Sequence, residues 1–299
     1  MSSARRSFSA RVGRPLVKLT VAVTVAFLVL PVAVTFLASF ASSWAGVLPS
    51  GPLTLDHWEY VLGLRDVQGA ADYSLNLDGV VGALLSDPLS APEESPLLRS
   101  LVIALGGVAI NLVVGVPIAY AMARYEFPGR EWLNAFAVLP LAPGIILGIA
   151  FLRAFPDMAA TDVGLVVGYS LLKAPYMVMA VQSSFESLPL RRLEESARSL
   201  GASWPRTFLT VLVPNARAGI VAGSIICWTL AAAEFNFTYV VASGGVRPLS
   251  LFLKANISNS SFLTTAAAVS AFFLLVAGIT AALQAVGARG FAVSTVEES

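Results

Sequence analysis

Four long stretches of this sequence contain no Asp, Glu, Lys or Arg. They lie between Lys18 and Asp56, between Arg99 and Arg124, between Glu131 and Arg153, and between Lys254 and Arg289. Each stretch can supply the roughly 20 apolar residues that cross a hydrocarbon core about 30 Å thick. A helix is the favoured form, because it pairs every backbone polar group internally where no water is present. The chain is therefore predicted to cross a membrane several times.

Composition supports lipid as the solvent for much of the chain. Hydrophobic residues make up 57% of it and charged residues only 12%, whereas a soluble domain carries about 25% charged residues. The 19 Lys and Arg almost balance the 18 Asp and Glu, so no excess of positive charge points to nucleic acid as a partner. The single cysteine, Cys227, cannot form an internal disulfide.

Two further apolar stretches contain one charge each, Lys173 in residues 163–185 and Glu234 in residues 218–242. With them, the predicted fold class is an all-α membrane protein with six transmembrane helices. The predicted spans are 17–40, 98–122, 132–154, 163–184, 217–242 and 263–286. The first span follows a basic segment, but its apolar run is too long for a signal peptide, so we expect it to be retained.

The distribution of Lys and Arg predicts the orientation, because these residues collect on the cytoplasmic side. If the basic N-terminus is inside, the segments that follow the second, fourth and sixth spans also lie inside, together with their arginines. These inner residues are Arg5, Arg6, Arg11, Arg14, Lys18, Arg124, Arg130, Arg191, Arg192, Arg198, Arg206, Arg217 and Arg289. The predicted outer segments are mostly acidic. Both termini are therefore predicted to be cytoplasmic.

Three regions are predicted along the chain. Residues 1–96 comprise the cytoplasmic N-terminal tail, the first transmembrane helix and a long external loop. Residues 97–288 form a five-helix core that contains a cytoplasmic loop at 186–216, and residues 289–299 form a cytoplasmic tail. The external segment 42–98 is rich in Pro, Gly, Asp and Ser, which is typical of loops, with one short helix conceivable within 53–62.

The loop between the fourth and fifth predicted spans has the pattern of a helix, a turn and a second helix. Leu190, Leu193, Ala197 and Leu200 recur at helical spacing among charged residues, which predicts an amphipathic helix. Gly201 stands where a left-handed helix terminator belongs. A second helix is predicted to begin near Ser203 and to end or kink at Pro214. Such a protrusion suits a groove on a partner protein, although a helix lying in the headgroup layer fits the same pattern.

This loop resembles the EAA loop of permeases from binding-protein-dependent ABC importers of type I. That loop reads Glu-Ala-Ala, three residues, Gly, nine residues, Ile-x-Leu-Pro. The matching positions here are Glu195, Ser196, Ala197, Gly201, Val211, Val213 and Pro214. Residues 119–130 are similar to the family's first cytoplasmic loop, and residues 139–148 are similar to its third core span. Residues 44–51 and 139–148 look closest to the branch for polyamines, aminophosphonates, thiamine or iron, whereas residues 119–130 resemble sugar permeases equally well.

The resemblance implies a transport subunit of the cell membrane (plasma or inner membrane) of a prokaryote, not an enzyme. Its implied partners are ATP-binding subunits, a second permease subunit, identical or homologous, and an external solute-binding protein. ATP and Mg would then be held by the partner ATPase, and this chain would hold no cofactor or metal. The EAA loop would be the coupling helix that docks on the ATPase, and a small polar solute would be the cargo.

Charged residues inside predicted spans are the remaining candidates for function. A charge at the centre of a membrane helix costs about 2.5–3.5 kcal/mol, so it usually faces a cavity or a partner. Lys173 and Glu234 are therefore expected to line a solute path or to pair within the membrane. Arg153, at the end of the third predicted span, is a second possible partner for Glu234.

Other function classes fit the residues less well. Ser170 and Lys173 lie three residues apart on one helix, so an intramembrane Ser–Lys hydrolase is conceivable, yet nothing else suggests a catalytic site. A secondary transporter or a channel is a further alternative, although no internal duplication is evident. No GxxxxGK[ST] segment occurs, so ATP hydrolysis is expected on a separate subunit.

Overall fold

The computed structural model describes residues 2–46, 48–62, 96–136, 144–242, 248–256 and 262–296, with the single positions 64, 82, 85 and 86. The chain divides into two compact units. One comprises Met1–Asn76 and Asn256–Phe273, and the other comprises Leu77–Ala255 and Leu274–Ser299. Most of the predicted core and the whole candidate site lie in the second unit.

The first unit is built on one long apolar helix followed by a hairpin. Its elements are α1 (Ser2–Ala38), β1 (Ala41–Ala45), β2 (Leu48–Leu53) and α2 (Asp56–Val61). The two strands are antiparallel and pair Trp44 with Pro49. The hairpin lies at the start of the segment predicted as an external loop and was not predicted, whereas the short helix within 53–62 is confirmed as α2.

His57 joins three parts of this unit. One ring nitrogen contacts the Thr264 hydroxyl at 3.1 Å, and the other contacts the Ala41 carbonyl at 3.2 Å. Beside it, Ala38, Ala41, Leu263 and Ala266 form a small buried core. The only histidine of the chain therefore holds the hairpin and α2 against the first turn of the last helix.

Helices are the secondary structure of the second unit in the part that the structure describes, and turns or short loops connect them. Its elements are α3 (Pro96–Arg124), α4 (Arg130–Phe136), α5 (Gly144–Ala154), α6 (Pro156–Ala159), α7 (Asp162–Glu186), α8 (Leu190–Ser199), α9 (Trp204–Thr207), a π-helical turn (Phe208–Leu212), α10 (Val213–Asn215), α11 (Arg217–Ala232), α12 (Asn236–Val241), α13 (Leu249–Asn256) and α14 (Phe262–Val296). The last of these begins in the first unit.

Helix ends follow the local sequence. Thr161 caps α7 by accepting a hydrogen bond from the Gly164 N–H at 3.0 Å, and Asp162 adds a negative charge to the first turn, where the helix dipole favours it. Arg124 places a positive charge in the last turn of α3. These signals fix both helices close to the bounds predicted from hydrophobicity.

Helices α3, α7 and α11 pack on one another and form the centre of the second unit, and α12 packs on α5. Small residues allow the close approach. A Cβ atom on Gly219 of α11 would lie 2.6 Å from the Ala180 carbonyl oxygen and 2.5 Å from the Ser184 Cβ atom, both in α7. Only glycine fits at this crossing, which is typical of helix packing in membranes.

Within the part of the chain that the structure describes, four helices are long and apolar enough to span a membrane: Val17–Ala38, Pro96–Arg124, Asp162–Glu186 and Phe262–Ala285. They correspond to the first, second, fourth and sixth predicted spans. A fifth arises if the pair Trp204–Asn215 and Arg217–Ala232, bent by 74°, counts as one span. The third predicted span, 132–154, lies partly outside the described residues, and its described part is divided between α4 and α5.

The fifth predicted span, 217–242, is not one continuous helix. Helix α11 ends at Ala232 and α12 begins at Asn236. The 16 residues of α11 extend over about 24 Å at 1.5 Å per residue, which is short of a full hydrocarbon core. The interruption falls at Glu234, where polar contacts replace helical hydrogen bonds.

Candidate functional site

The predicted helix–turn–helix of residues 186–216 is present. Helix α8 covers Leu190–Ser199, and Gly201 terminates it two residues later. The Gly201 φ of 78° confirms the predicted left-handed conformation. The Gly201 N–H donates to the Arg198 carbonyl at 2.9 Å, and the Ala202 N–H donates to the Ala197 carbonyl at 3.0 Å. These two bonds make a Schellman motif, so the turn is fixed by backbone geometry as well as by sequence.

The second half of the loop begins at Ser203, as predicted. Its extended backbone accepts a hydrogen bond from the Thr207 N–H at 2.9 Å, which starts α9. The helix widens into the π-helical turn and ends at Asn215, just after Pro214. Helix α7 extends to Glu186 and ends at Ser187, and α8 begins after Pro189.

The buried face of α8 differs from the apolar face read from the sequence. Leu190, Glu194 and Ala197 are buried, with Glu194 only 4% exposed, whereas Leu200 is 88% exposed. A carboxylate therefore occupies the centre of the inner face. The spacing of 190, 194 and 197 is helical, but a charged residue at the middle position concealed this face from a hydrophobicity pattern.

The Glu194 carboxylate has three donors. Its Oε1 accepts hydrogen bonds from the Tyr120 hydroxyl at 2.7 Å and from the Arg124 Nε at 2.9 Å, and its Oε2 accepts one from the Arg124 guanidinium at 3.2 Å. Burial raises the pKa of the Glu194 carboxyl, but the hydrogen bonds from Arg124 and Tyr120 outweigh burial and lower that pKa below its ordinary value. The carboxylate is thus held in its charged form.

Aromatic rings surround this ion pair. The Tyr120 ring lies 5.6 Å from that of Phe185 at the end of α7, 5.4 Å from Phe208 and 6.3 Å from Trp204. Trp204 and Phe208 stack at 5.3 Å. Three segments that are distant in sequence therefore meet at the Tyr120 end of α3. Sequence analysis identified residues 119–130 and the loop separately but did not predict their contact.

The residues matched to the EAA pattern are divided between the two faces of the loop. Glu195, Ser196 and Pro214 are exposed, Ala197 is buried, and Val211 and Val213 are half-buried. The exposed part of α8 also carries Arg191, Arg192 and Arg198. The outer face of the loop is therefore cationic and partly apolar, and none of the residues that the structure describes covers it.

Lys173 of α7 and Glu234, which lies between α11 and α12, are brought together. The Lys173 Nζ lies 2.5 Å from a Glu234 carboxylate oxygen, and each side chain is 11% exposed. The other carboxylate oxygen accepts a hydrogen bond from the Phe237 N–H at 3.2 Å, in the first turn of α12. Arg153, the second predicted partner, is exposed at the end of α5, and the ion pair that Glu234 forms is with Lys173.

The backbone around Glu234 explains the interruption of the fifth span. Its carbonyl accepts hydrogen bonds from the Thr238 hydroxyl at 3.2 Å and from the Ser250 hydroxyl at 3.1 Å. These side chains satisfy a carbonyl group that a continuous helix would pair internally. The backbone of Lys173 is also bound by α11, because the Cys227 thiol donates a hydrogen bond to the Lys173 carbonyl at 3.2 Å.

The Ser–Lys pair considered from the sequence is not assembled. The Ser170 hydroxyl donates to the Asn111 side-chain carbonyl at 2.8 Å, and the Lys173 ammonium is engaged by Glu234. A lysine base that activates a serine must lie within hydrogen-bond reach of its hydroxyl. The arrangement favours packing of α3 against α7 over nucleophilic chemistry.

Comparison with known proteins agrees with this architecture. The family model for the inner membrane component of binding-protein-dependent transport systems matches residues 96–289. The chain belongs to this family. The predicted family is thereby confirmed, and with its apolar helices the chain is a multi-pass inner-membrane protein of the ABC importer type. The matched segment contains α3 to α13, including the whole loop and both members of the Lys173–Glu234 ion pair.

Individual relatives extend the comparison. A molybdate/tungstate transport system permease protein of Pyrococcus furiosus is 33% identical over 160 residues, which are 53% of this chain and 63% of that protein. A molybdenum transport system permease protein of Escherichia coli is 29% identical over 171 residues, 52% of this chain and 74% of that protein. A probable sulfate transport system permease protein of Nephroselmis olivacea is 30% identical over 179 residues, which are 55% of this chain and 61% of that protein.

A solved structure supports the fold. A chain from the crystal structure of a bacterial ABC transporter involved in the import of the acidic polysaccharide alginate superimposes with a TM-score of 0.61 at 16% identity. The match covers 92% of this chain and 96% of that one. The curated relatives carry names that concern molybdate, tungstate and sulfate, so the finer assignment to the polyamine, aminophosphonate, thiamine or iron branch stays a prediction.

Proposed function

We propose that this chain is the membrane-spanning permease component of an ATP-driven importer, which translocates a small polar solute delivered by an external binding protein. The observation that carries the proposal is the loop of residues 190–215. Its inner face is engaged by the chain's own helices, while its outer face offers Leu200, Trp204 and Leu209 at 88%, 48% and 63% exposure. A fixed protrusion with an exposed apolar tip suits a groove on a partner protein.

In this proposal the loop docks on an ATP-binding subunit. Glu195 and Ser196 face outward for that contact, and Gly201 sets the angle between the two helices. ATP and Mg would bind to the partner subunit, since the sequence has no phosphate-binding loop. A second permease subunit and an external solute-binding protein would complete the importer.

The proposed topology has six spans, with both termini and the loop in the cytoplasm. The four long helices would supply four of the spans, α11 with α12 would supply the fifth, and residues 132–154 would supply the sixth. The arginines of α8 lie on the inner side in this topology, as the positive-inside rule requires.

An oxyanion is the proposed class of solute. The relatives named above are permeases for molybdate, tungstate or sulfate, and Lys173 places a positive charge within the membrane-spanning region. Its pairing with Glu234 leaves two roles open to test: a fixed structural ion pair, or a cation that an oxyanion reaches when the pair opens.

Co-purification tests the proposed docking. The tagged chain would be expressed with an ATP-binding subunit of an ABC importer from the same organism, and the amount of ATPase retained per permease would be measured. Gly201→Leu places a Cβ atom on a residue with φ of 78°, and Glu195→Lys reverses an exposed charge. We expect either variant to insert normally and to lose the ATPase. Full retention in both variants would contradict the coupling role.

A further inference from the structure

Helix α8 is fastened to α3, which is remote from it in sequence. Glu194 and its donors Tyr120 and Arg124 are 74 and 70 residues apart along the chain. We use the name Glu194 joint for these three residues. The loop is joined covalently to α7 and α11, which flank it in sequence. Its attachment to α3 is made by side-chain contacts alone.

The joint is chemically strong. Arg124 binds both carboxylate oxygens, an arrangement that fixes orientation as well as distance. The Glu194 side chain is 5% exposed and that of Arg124 is 21% exposed, so water competes little for these hydrogen bonds. A buried carboxylate that loses its partner leaves an uncompensated charge, and the joint therefore resists opening.

The second helix of the loop reaches the same point of α3. Phe208, which is 7% exposed, packs its ring edgewise against Tyr120, and Trp204 stacks on Phe208. Both halves of the loop thus bear on one residue of α3. A displacement of the loop cannot leave Tyr120 and Arg124 in place without breaking the ion pair and the ring contacts together.

Helix α3 continues from the joint to the opposite end of the second unit. Along its 29 residues it packs on α7 and α11, and Asn111 bonds Ser170 of α7 near its middle. Close to its other end, the Ser100 hydroxyl accepts a hydrogen bond from the Leu249 N–H at 2.8 Å, where α13 begins. One continuous helix therefore connects the loop with the start of α13.

We infer that the Glu194 joint transmits displacement of the loop into α3, so that Glu194, Arg124 and Tyr120 are positioning residues for coupling. This inference rests on the proposed function. It assigns binding of the ATPase to the outer face of α8, at Glu195, and transmission of its movement to the inner face, at Glu194. Adjacent acidic residues in one helix then have separate roles.

The test uses the complete importer in liposomes, with ATP hydrolysis and oxyanion uptake measured on the same sample. The probe is whichever of molybdate, tungstate and sulfate the wild-type importer takes up fastest. We expect Glu194→Gln to retain the ATPase but to lower the number of oxyanions imported per ATP by about tenfold, a typical size for coupling between sites. Tyr120→Phe, which removes one hydrogen bond and no charge, should lower the ratio less.

Two further variants separate transmission from loss of folding. The exchanged pair Glu194→Arg with Arg124→Glu should recover at least half of the ratio, because a charge pair is restored in the same place. Glu186→Gln removes an exposed carboxylate at the end of α7 and should leave the ratio unchanged. The inference is contradicted if Glu194→Gln imports as many oxyanions per ATP as the wild type, even when uptake and hydrolysis fall together. It is also contradicted if the exchanged pair recovers none of the lost ratio.

The variants also separate this inference from the proposed function. If Glu195→Lys and Gly201→Leu keep the ATPase bound, or if the wild-type importer takes up none of the three oxyanions under ATP, the proposed function fails. If those variants lose the ATPase while Glu194→Gln retains normal coupling, only the joint fails as a transmitter.

Discussion

Removal of the Lys173 charge should destabilise the second unit markedly. The Lys173 Nζ and the Glu234 carboxylate are 2.5 Å apart, with each side chain 11% exposed. In Lys173→Met, the carboxylate would keep the Phe237 N–H as a donor but would lose its counter-charge. Breaking a buried ion pair by removing one partner costs about 3–5 kcal/mol, and the partial exposure places this pair at the lower end.

A loss of about 3 kcal/mol corresponds to a fall of about 6–12 °C in the unfolding temperature, measured by thermal unfolding of the purified chain in detergent. The matched control is the double variant Lys173→Met with Glu234→Gln. Its glutamine retains an oxygen for the Phe237 N–H and carries no charge, and neutral replacement of a buried ion pair often costs little.

The double variant should therefore recover at least half of the lost unfolding temperature. Melting of Lys173→Met within 2 °C of the wild type would show that the ion pair does not stabilise the second unit. The reasoning would also be refuted if the double variant were less stable than the single one, because the penalty could not then arise from an unpaired carboxylate.

Gly168→Ala should cost about 1–3 kcal/mol of stability by overpacking, because the new Cβ atom would lie 2.2 Å from the ring of Phe237, which is 2% exposed. Gly278→Ala is the control. Its new Cβ atom would have no atom within 4 Å, so this variant should not be destabilised. Acid should release α8. Since the Glu194 pKa is lowered in the folded chain, its stabilising effect is complete above the unfolded value of about 4.3 and is lost as pH falls through the folded value. Hydrogen exchange across α8 should rise below about pH 4.3 in the wild type more than in Glu194→Gln, and equal profiles would count against this account.

Much of the fold could be predicted because hydrophobicity and helix signals act locally. Long uncharged runs identified α1, α3 and α14, and an apolar run with a single charge identified α7. Gly201 marked the end of α8 through its backbone requirement. The hairpin at residues 41–53 could not be found in this way. Its strands contain Ser, Pro and Gly, a composition typical of loops, and they are held by pairing with each other.

The features that were missed depend on contacts between distant residues. Glu234 was expected inside a continuous span, yet the hydroxyl groups of Thr238 and Ser250 satisfy its carbonyl and allow the helix to break. Glu194 was assigned to the polar face of α8 because its partners lie 70 or more residues away in α3. A buried carboxylate cannot be read from periodicity, since only its donors make burial favourable.

The most direct test of the account is the side of the membrane on which the loop lies. Cys227 is the only cysteine of the chain, so Cys227→Ala provides a background for Arg198→Cys, at an exposed position of α8. A membrane-impermeant maleimide should label this cysteine in inside-out vesicles and not in intact cells, and the bound ATPase should slow the labelling. Labelling from the outside of intact cells would contradict the account.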